Sequence, residues 1–272
     1  PYVAPKPYFE RYPQRKMPVV QGVEEDQADL PAPALGSYKR EQDKLTDPLR
    51  RECVQAYFAS TTFMDAQVGR VLDALDRLDL AKNTIVVFTS DHGYHLGEHG
   101  LWQKMSLFEE SARVPLVIAA PGTGAEGGVS ETPVGLVDLY PTLAELCGVK
   151  APENLQGQSL VPMLEDPSAA GRGWTLTQVT RGSRRQGRFF GYTLRTPRWR
   201  YTEWVDGDQG RELYDHQADP RELANLADDP ARADTVAKLS RQLRDVVAQT
   251  FPSSGETPPL REGLWPPNLT HP

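Results

Sequence analysis

The chain has 272 residues, 39% of them hydrophobic, with 30 Lys and Arg against 37 Asp and Glu and a formal charge of −7. That length can bury a substantial core and hold more than one domain. The acidic balance argues against a nucleic-acid or general polyanion binder, two cysteines exclude a disulfide framework, and no apolar run approaches membrane-spanning length.

Residues 1 to about 45 are Pro-rich and irregular, polar from Glu24 to Lys44, and read as loop crossing the surface. A helix follows, with Asp47 as N-cap and Pro48 at its first position. Val54, Tyr57, Phe58, Thr61, Met64, Val68, Val71, Leu72 and Leu75 recur at three- and four-residue steps, an apolar face expected to pack on a sheet. Thr84 to Phe88 reads as a buried central parallel strand. A helical stretch near Met105 to Ala112 leads to a second strand, Pro115 to Ala119, and then a helix from Val137 to Leu146 that stops at Gly148. This alternation fits part of a doubly wound, mostly parallel α/β layer over residues 1–164. Cys53 in the first long helix and Cys147 near the end of the next read as reduced core residues.

Residues 165–272 read differently. After a small-residue linker come strand-like runs at Trp174 to Val179, Phe189 to Arg195, Trp199 to Trp204 and Arg211 to Tyr214, separated by turn signals. An amphipathic helix, Ala231 to Ala248, and a Pro-rich tail from Pro252 complete the chain. The expectation is an α+β subdomain, a small antiparallel sheet covered by one helix.

The chemistry concentrates in Phe88 to Lys104. The strand ends there, Asp91 and His92 stand side by side, and Gly93, Gly97 and Gly100 follow before Lys104. Open α/β sheets place ligand sites at strand tips of this kind. Asp and His both ligate divalent cations, and the glycines let the backbone fold tightly enough for side chains to converge. The pattern indicates a metal-assisted site that handles an anion. Asp91 and His92 are the metal ligands in this reading, and Lys104 is a pocket cation anchored by Leu101 and Trp102. His95 either lines the pocket or is a loop histidine, whereas His99 reads as a hydrogen-bonded loop histidine.

The run from Asp91 through Lys104, with Arg113 to Ile118, resembles the sulfatase family of the alkaline-phosphatase superfamily, and within it the iduronate-2-sulfatase branch. Tyr2 to Phe9, Tyr57 to Ser60 with Asp65 to Arg70, Leu136 to Leu143, Leu155 to Leu160, Glu212 to Asp215 and Asp219-Pro220 extend the resemblance in the same order. The family's formylglycine motif, Cys- or Ser-x-Pro-Ser-Arg, is absent, as are the paired aspartates of its first strand. The chain is therefore expected to be the C-terminal portion of a longer sulfatase, inert alone, with the missing N-terminal portion as its partner.

The resemblance implies hydrolysis of a sulfate monoester on a small molecule or a glycan. Asp91 and His92 would complete a Ca²⁺ shell begun by the missing aspartates and the formylglycine that attacks sulfur. Lys104, with His95 beside it, would bind the sulfate, and Lys104 would neutralise developing charge. The resemblance also implies a periplasmic, secreted or lysosomal-type compartment. One alternative is a phosphonate or phosphate-ester hydrolase of the same superfamily using a transition metal. Another is a non-catalytic glycan-binding module.

Overall fold

The computed structural model describes residues 2–124, 126–152, 155–183 and 187–250. The tail from Pro252 lies outside the described residues. The N-terminal segment, expected as loop, carries two short helices, α1 (Lys6–Glu10) and α2 (Val23–Gln27). The long helix α3 spans Asp47–Arg77, with Thr46 as the N-cap and Pro48 in the first turn. The cap thus falls one residue before Asp47. Val54 and Ala59 are buried on α3, but Met64, Val71 and Leu72 are exposed. The apolar face is covered best over its N-terminal half, where Tyr8 and Tyr12 pack edge-on against Phe63 and Phe58, while Val68 and Leu75 further along are half-buried.

Strand β1 (Val86–Thr89) leads to a hairpin of β2 (His95–Leu96) and β3 (Trp102–Gln103). The short helix α4 (Glu109–Ala112) follows, then β4 (Leu116–Ala119). Val86 pairs with Ala119 and Thr89 with Leu116, so β1 and β4 run antiparallel rather than parallel. The cause is local: the chain turns back through β2, β3 and α4 instead of crossing over a face of the sheet, and only a crossover makes neighbours parallel. Sheets mixing both directions are common in large α/β folds.

Helices α5 (Leu139–Leu146) and α6 (Val161–Glu165) complete this half. Two of the family-like segments turn out to hold each other. Asp138 is fully buried, and its carboxylate accepts the Gly135 and Gln158 N–H groups and the Arg172 guanidinium. Gly157 packs so closely that a Cβ there would lie 2.0 Å from the Val137 carbonyl oxygen. Cys147, expected in the core, is exposed just past the end of α5.

The second half matches its expectation. Strands β5 (Thr175–Ser183), β6 (Gly187–Arg195), β7 (Trp199–Trp204) and β8 (Arg211–Asp215) form an antiparallel meander in the order 5-6-7-8. Helix α7 (Ala233–Gln249) covers one face, with Leu239, Leu243 and Val246 packed on Leu194, Tyr201 and Leu213. Those three sheet residues are register partners across β6, β7 and β8, so they share a face. The opposite face carries Val179, Trp204 and Tyr214, which pack against Ala34, Leu101, Leu107 and Phe108. The sheet is thus clamped between α7 and the segment that leads out of the Asp91–Lys104 loop. Among the described residues no helix is long and apolar enough to cross a membrane.

Candidate active site

The candidate loop leaves β1 at Thr89 and reaches Asp91 and His92 two residues later. Its first tie is Gly93, whose N–H donates to the Ser111 carbonyl of α4 at 2.8 Å. A Cβ on Gly93 would stand 2.0 Å from the Glu110 carbonyl oxygen, so only glycine fits against α4 here. The His92 Nδ1–H donates to the Gly93 carbonyl at 2.7 Å. That bond fixes the tautomer and leaves Nε2 with a free lone pair.

Two charged groups converge on that lone pair. Lys104 Nζ donates to His92 Nε2 at 2.7 Å, and Asp91 Oδ2 lies 3.5 Å from the same nitrogen. Asp91, His92 and Lys104 are therefore brought together. The Asp91 side chain is 85% exposed and Lys104 is also exposed. Both side chains lie open to solvent, where the sequence pattern indicated a pocket.

The donor set fits a divalent cation in part. One carboxylate and one correctly oriented imidazole nitrogen lie close enough to share an ion. Two ligands fall short of the six to eight oxygens that calcium takes. The Lys104 ammonium holds the position at Nε2 that a metal ion would take, so a metal and this hydrogen bond exclude each other.

The other two histidines are structural. His95, expected to line the substrate site, is fully buried. Its Nε2 meets Ser106 Oγ at 2.7 Å and its ring packs edge-on against Phe108. Burial pushes its pKa down to about 4, so it is neutral. The period of two along β2 turns it away from the exposed face, which corrects the substrate assignment.

His99 is equally buried and stacks on Phe108 with ring centres 3.8 Å apart. Its Nδ1–H donates to Asp26 at 3.0 Å, and Nε2 faces Glu110 Oε2 at 3.6 Å. Burial opposes the charged ring, but the two carboxylates outweigh it and raise the pKa to about 10. The same pairing outweighs burial at Glu110 and lowers its pKa. His99 is an imidazolium bracketed by carboxylates, as its reading as a loop histidine anticipated.

Sequence reasoning missed Asp26, in a stretch read as loop, and Glu109, Glu110, Arg200 and Glu222, which carried no pattern. Glu222 is fully buried and accepts Arg200, the His216 Nε2–H at 2.7 Å and the Glu109 N–H at 2.9 Å. Its oxygens are thus filled by donors rather than left for an ion. Burial opposes the charge, but Arg200 and His216 hold the pKa down to about 2. A rigid aromatic contact also joins α3 to the loop, with Tyr57 stacked on Tyr94 at 5.4 Å and Tyr2 edge-on to both.

Comparison with known proteins gives the family. The family model "Sulfatase" matches residues 4–149, and "N-sulphoglucosamine sulphohydrolase, C-terminal" matches residues 97–249. The arylsulfatase K of Gallus gallus is 38% identical over 206 residues, covering 70% of this chain and 36% of that protein. The choline-sulfatase of Rhizobium meliloti (strain 1021) is 35% identical over 237 residues, covering 85% of this chain and 44% of that protein. The chain therefore spans well under half the length of these relatives. Among solved structures, a phosphonate monoester hydrolase from Silicibacter pomeroyi superposes with a TM-score of 0.80 at 28% identity, covering 96% of this chain and 56% of that one. A 2-O GAG sulfatase superposes at 0.73 and 27% identity, covering 88% and 53%. With two family models each matching more than half of its residues, the chain belongs to the sulfatase family, in the alkaline-phosphatase superfamily, with an α/β fold that ends in an antiparallel sheet subdomain.

Proposed function

We propose that this chain supplies Asp91, His92 and Lys104 to the active site of a longer sulfatase, which hydrolyses sulfate monoesters and is inert without its remaining residues. The observation that carries this is the convergence of Asp91 Oδ2 and Lys104 Nζ on the oriented lone pair of His92. Asp91 and His92 are the two ligands that the chain offers to a divalent cation, with Ca²⁺ the expected ion. Held by Asp91 and His92, such an ion would supply a positive charge to the sulfate oxygens and Lewis-acid polarisation of the S–O bond. Release of Lys104 from His92 frees its ammonium for the sulfate or the leaving oxygen, where an aimed cation favours the transition state. The residues that attack sulfur and complete the shell belong to the N-terminal portion, which is the partner.

The substrate we infer is a sulfated glycan, with the iduronate-2-sulfatase-like branch as the expected position in the family. This is supported by the resemblance of the Asp91–Lys104 loop and by structural neighbours that include a 2-O GAG sulfatase and a structure in complex with D-glucosamine-2-N,6-O-disulfate. A periplasmic, secreted or lysosomal-type compartment follows from the same reading. The division at residues 164 and 165 is supported by the change from helices and loops to the meander beginning at Thr175.

A second reading, phosphonate or phosphate-ester hydrolysis with a transition metal, is favoured by the superposition on a phosphonate monoester hydrolase. Assay of the full-length protein on paired sulfate, phosphate and phosphonate esters, after chelation and addition of single metals, decides between them. Turnover of the sulfate ester restored by Ca²⁺ and abolished by Asp91→Asn is the expected result. Preference for the phosphonate ester with a transition metal would establish the second reading. A full-length protein without turnover or a nucleophile motif would leave a glycan-binding module.

A further inference from the structure

Helix α4 is only four residues long, too short to hold its own shape, and its N-cap Phe108 offers no side-chain cap. Its first N–H is instead taken by Glu222, a buried carboxylate 113 residues away in sequence. The Glu109 side chain points the same way and accepts from Arg200 and from Arg195 Nε at 3.3 Å. Arg195 Nη2 donates to His216 Nδ1 at 3.0 Å, and His216 donates its Nε2–H to Glu222. Arg195 and Arg200 are register partners on β6 and β7, so the sheet presents both guanidinium groups on one face. These five residues form a closed, largely buried cluster, with Glu222 and Arg200 at its centre, that fixes α4 to the C-terminal sheet.

The other side of α4 faces the candidate site. Ser111 accepts the Gly93 N–H, the Glu110 carbonyl abuts Gly93, and the Glu110 side chain pairs with His99. Gly93 in turn orients His92 through its own carbonyl. Among the described residues, no hydrogen bond or ion pair links the cluster to Asp91, His92 or Lys104.

We propose that Glu222, Arg200 and Glu109 are positioning residues for the Asp91–His92 loop, acting through α4. This rests on the active-site reading above. The C-terminal sheet would then be required for catalysis while supplying none of the site's charged groups.

The test uses the full-length protein with Glu222→Gln, the milder Arg195→Gln, and Glu203→Gln as control. Glu203 is a comparably buried carboxylate on β7, bonded to Tyr201 and Ser240 on the α7 side, with no contact to α4. Hydrogen exchange of the Gly93 amide, thermal melting, metal affinity, kcat and KM are measured for each. The first two variants are expected to lose Gly93 protection while β6 and β7 keep theirs. Metal affinity and kcat should fall about 10- to 100-fold, the range for groups that orient metal ligands from behind. Glu203→Gln should lower the melting temperature without changing Gly93 exchange or metal affinity. If Glu222→Gln does not fold, Arg195→Gln carries the test, since its side chain makes only part of the cluster. Unchanged Gly93 exchange in folded variants would overturn the proposal whatever their activity. Inactive wild-type protein with the expected exchange pattern would instead sink the sulfatase reading and leave the coupling standing.

Discussion

Replacing His99 with asparagine tests whether a charged histidine holds the loop. Asparagine suits the site because His99 has φ of 53°, a left-handed conformation that Asn tolerates better than most residues. In the wild type, Asp26 and Glu110 keep the ring protonated up to a pKa of about 10, against an ordinary 6.5. The folded state therefore holds a proton that the unfolded state releases between those values. Stability from this group is fully present below pH 6.5 and is lost as pH rises through about 10. The slope over that window is about 1.4 kcal/mol per pH unit, and the whole contribution is at most about 5 kcal/mol. Removing the ring also strands Asp26 and Glu110 as buried carboxylates, so His99→Asn should cost about 3–5 kcal/mol at pH 7. Urea unfolding at pH 7, 8 and 9 measures both quantities. Glu212, raised by burial to about 7, adds its own loss of stability as pH rises, so the wild-type-minus-variant difference is the quantity to follow. That difference should shrink by about 1.4 kcal/mol for each pH unit gained. A difference independent of pH would show that His99 is neutral in the folded protein and would refute the bracketed imidazolium.

Lys104→Ala in the full-length protein should lower kcat/KM for a sulfate ester about a hundredfold, equivalent to about 3 kcal/mol. Thermal melting should hardly move, because the side chain is exposed; unchanged kinetics would assign the lysine to solvent. Gly93→Ala should lose turnover and about 1–3 kcal/mol of stability, since its Cβ would overlap the Glu110 carbonyl, and a variant with wild-type turnover would show that α4 does not constrain the loop. Calorimetry on the present chain should find weak Ca²⁺ binding or none, because Asp91 and His92 fill two of the six to eight positions calcium prefers, and tight binding would mean that the shell is complete without further residues.

The sequence made legible what depends on periodicity and local chemistry. The meander and α7 were readable because alternation and helical spacing are set by residues near one another, and Leu194, Tyr201 and Leu213 fall on one face as their spacing requires. The Asp91–His92–Lys104 grouping was readable because strand, carboxylate, imidazole, glycines and lysine all sit within one short segment. The direction of β1 relative to β4 was not, since apolar strands look alike in either orientation. The exposure of Met64, Val71 and Leu72 on α3 was also hidden, because a helix pattern shows which face is apolar but not whether anything covers it. Asp26, Arg200 and Glu222 were invisible for a further reason. Buried ion pairs join residues 22 to 91 positions apart here, and a lone charge in a loop or strand carries no sign of the partner it will meet.

The three histidines of the loop show how one segment divides chemistry from support. A glycine-rich loop has few apolar side chains to bury, so its shape must come from polar ties whose groups are removed from water. His99 supplies one tie through its two carboxylates, His95 another through Ser106, and both rings wall off Phe108. Each is committed to the interior and cannot also meet a substrate. His92 is held differently. Its ring is one-third exposed, one nitrogen is spent on the Gly93 carbonyl, and the other is left to the solvent side with Asp91 and Lys104. The exposure of the second nitrogen, rather than residue type or neighbourhood in sequence, separates the candidate ligand from the two supports, whose remaining ring nitrogens are buried. The buried charges behind it are neutralised in place, Glu222 by Arg200 and Glu110 by His99. The field at His92 is therefore left to the exposed pair, Asp91 and Lys104, and to whatever anion and cation the completed site admits.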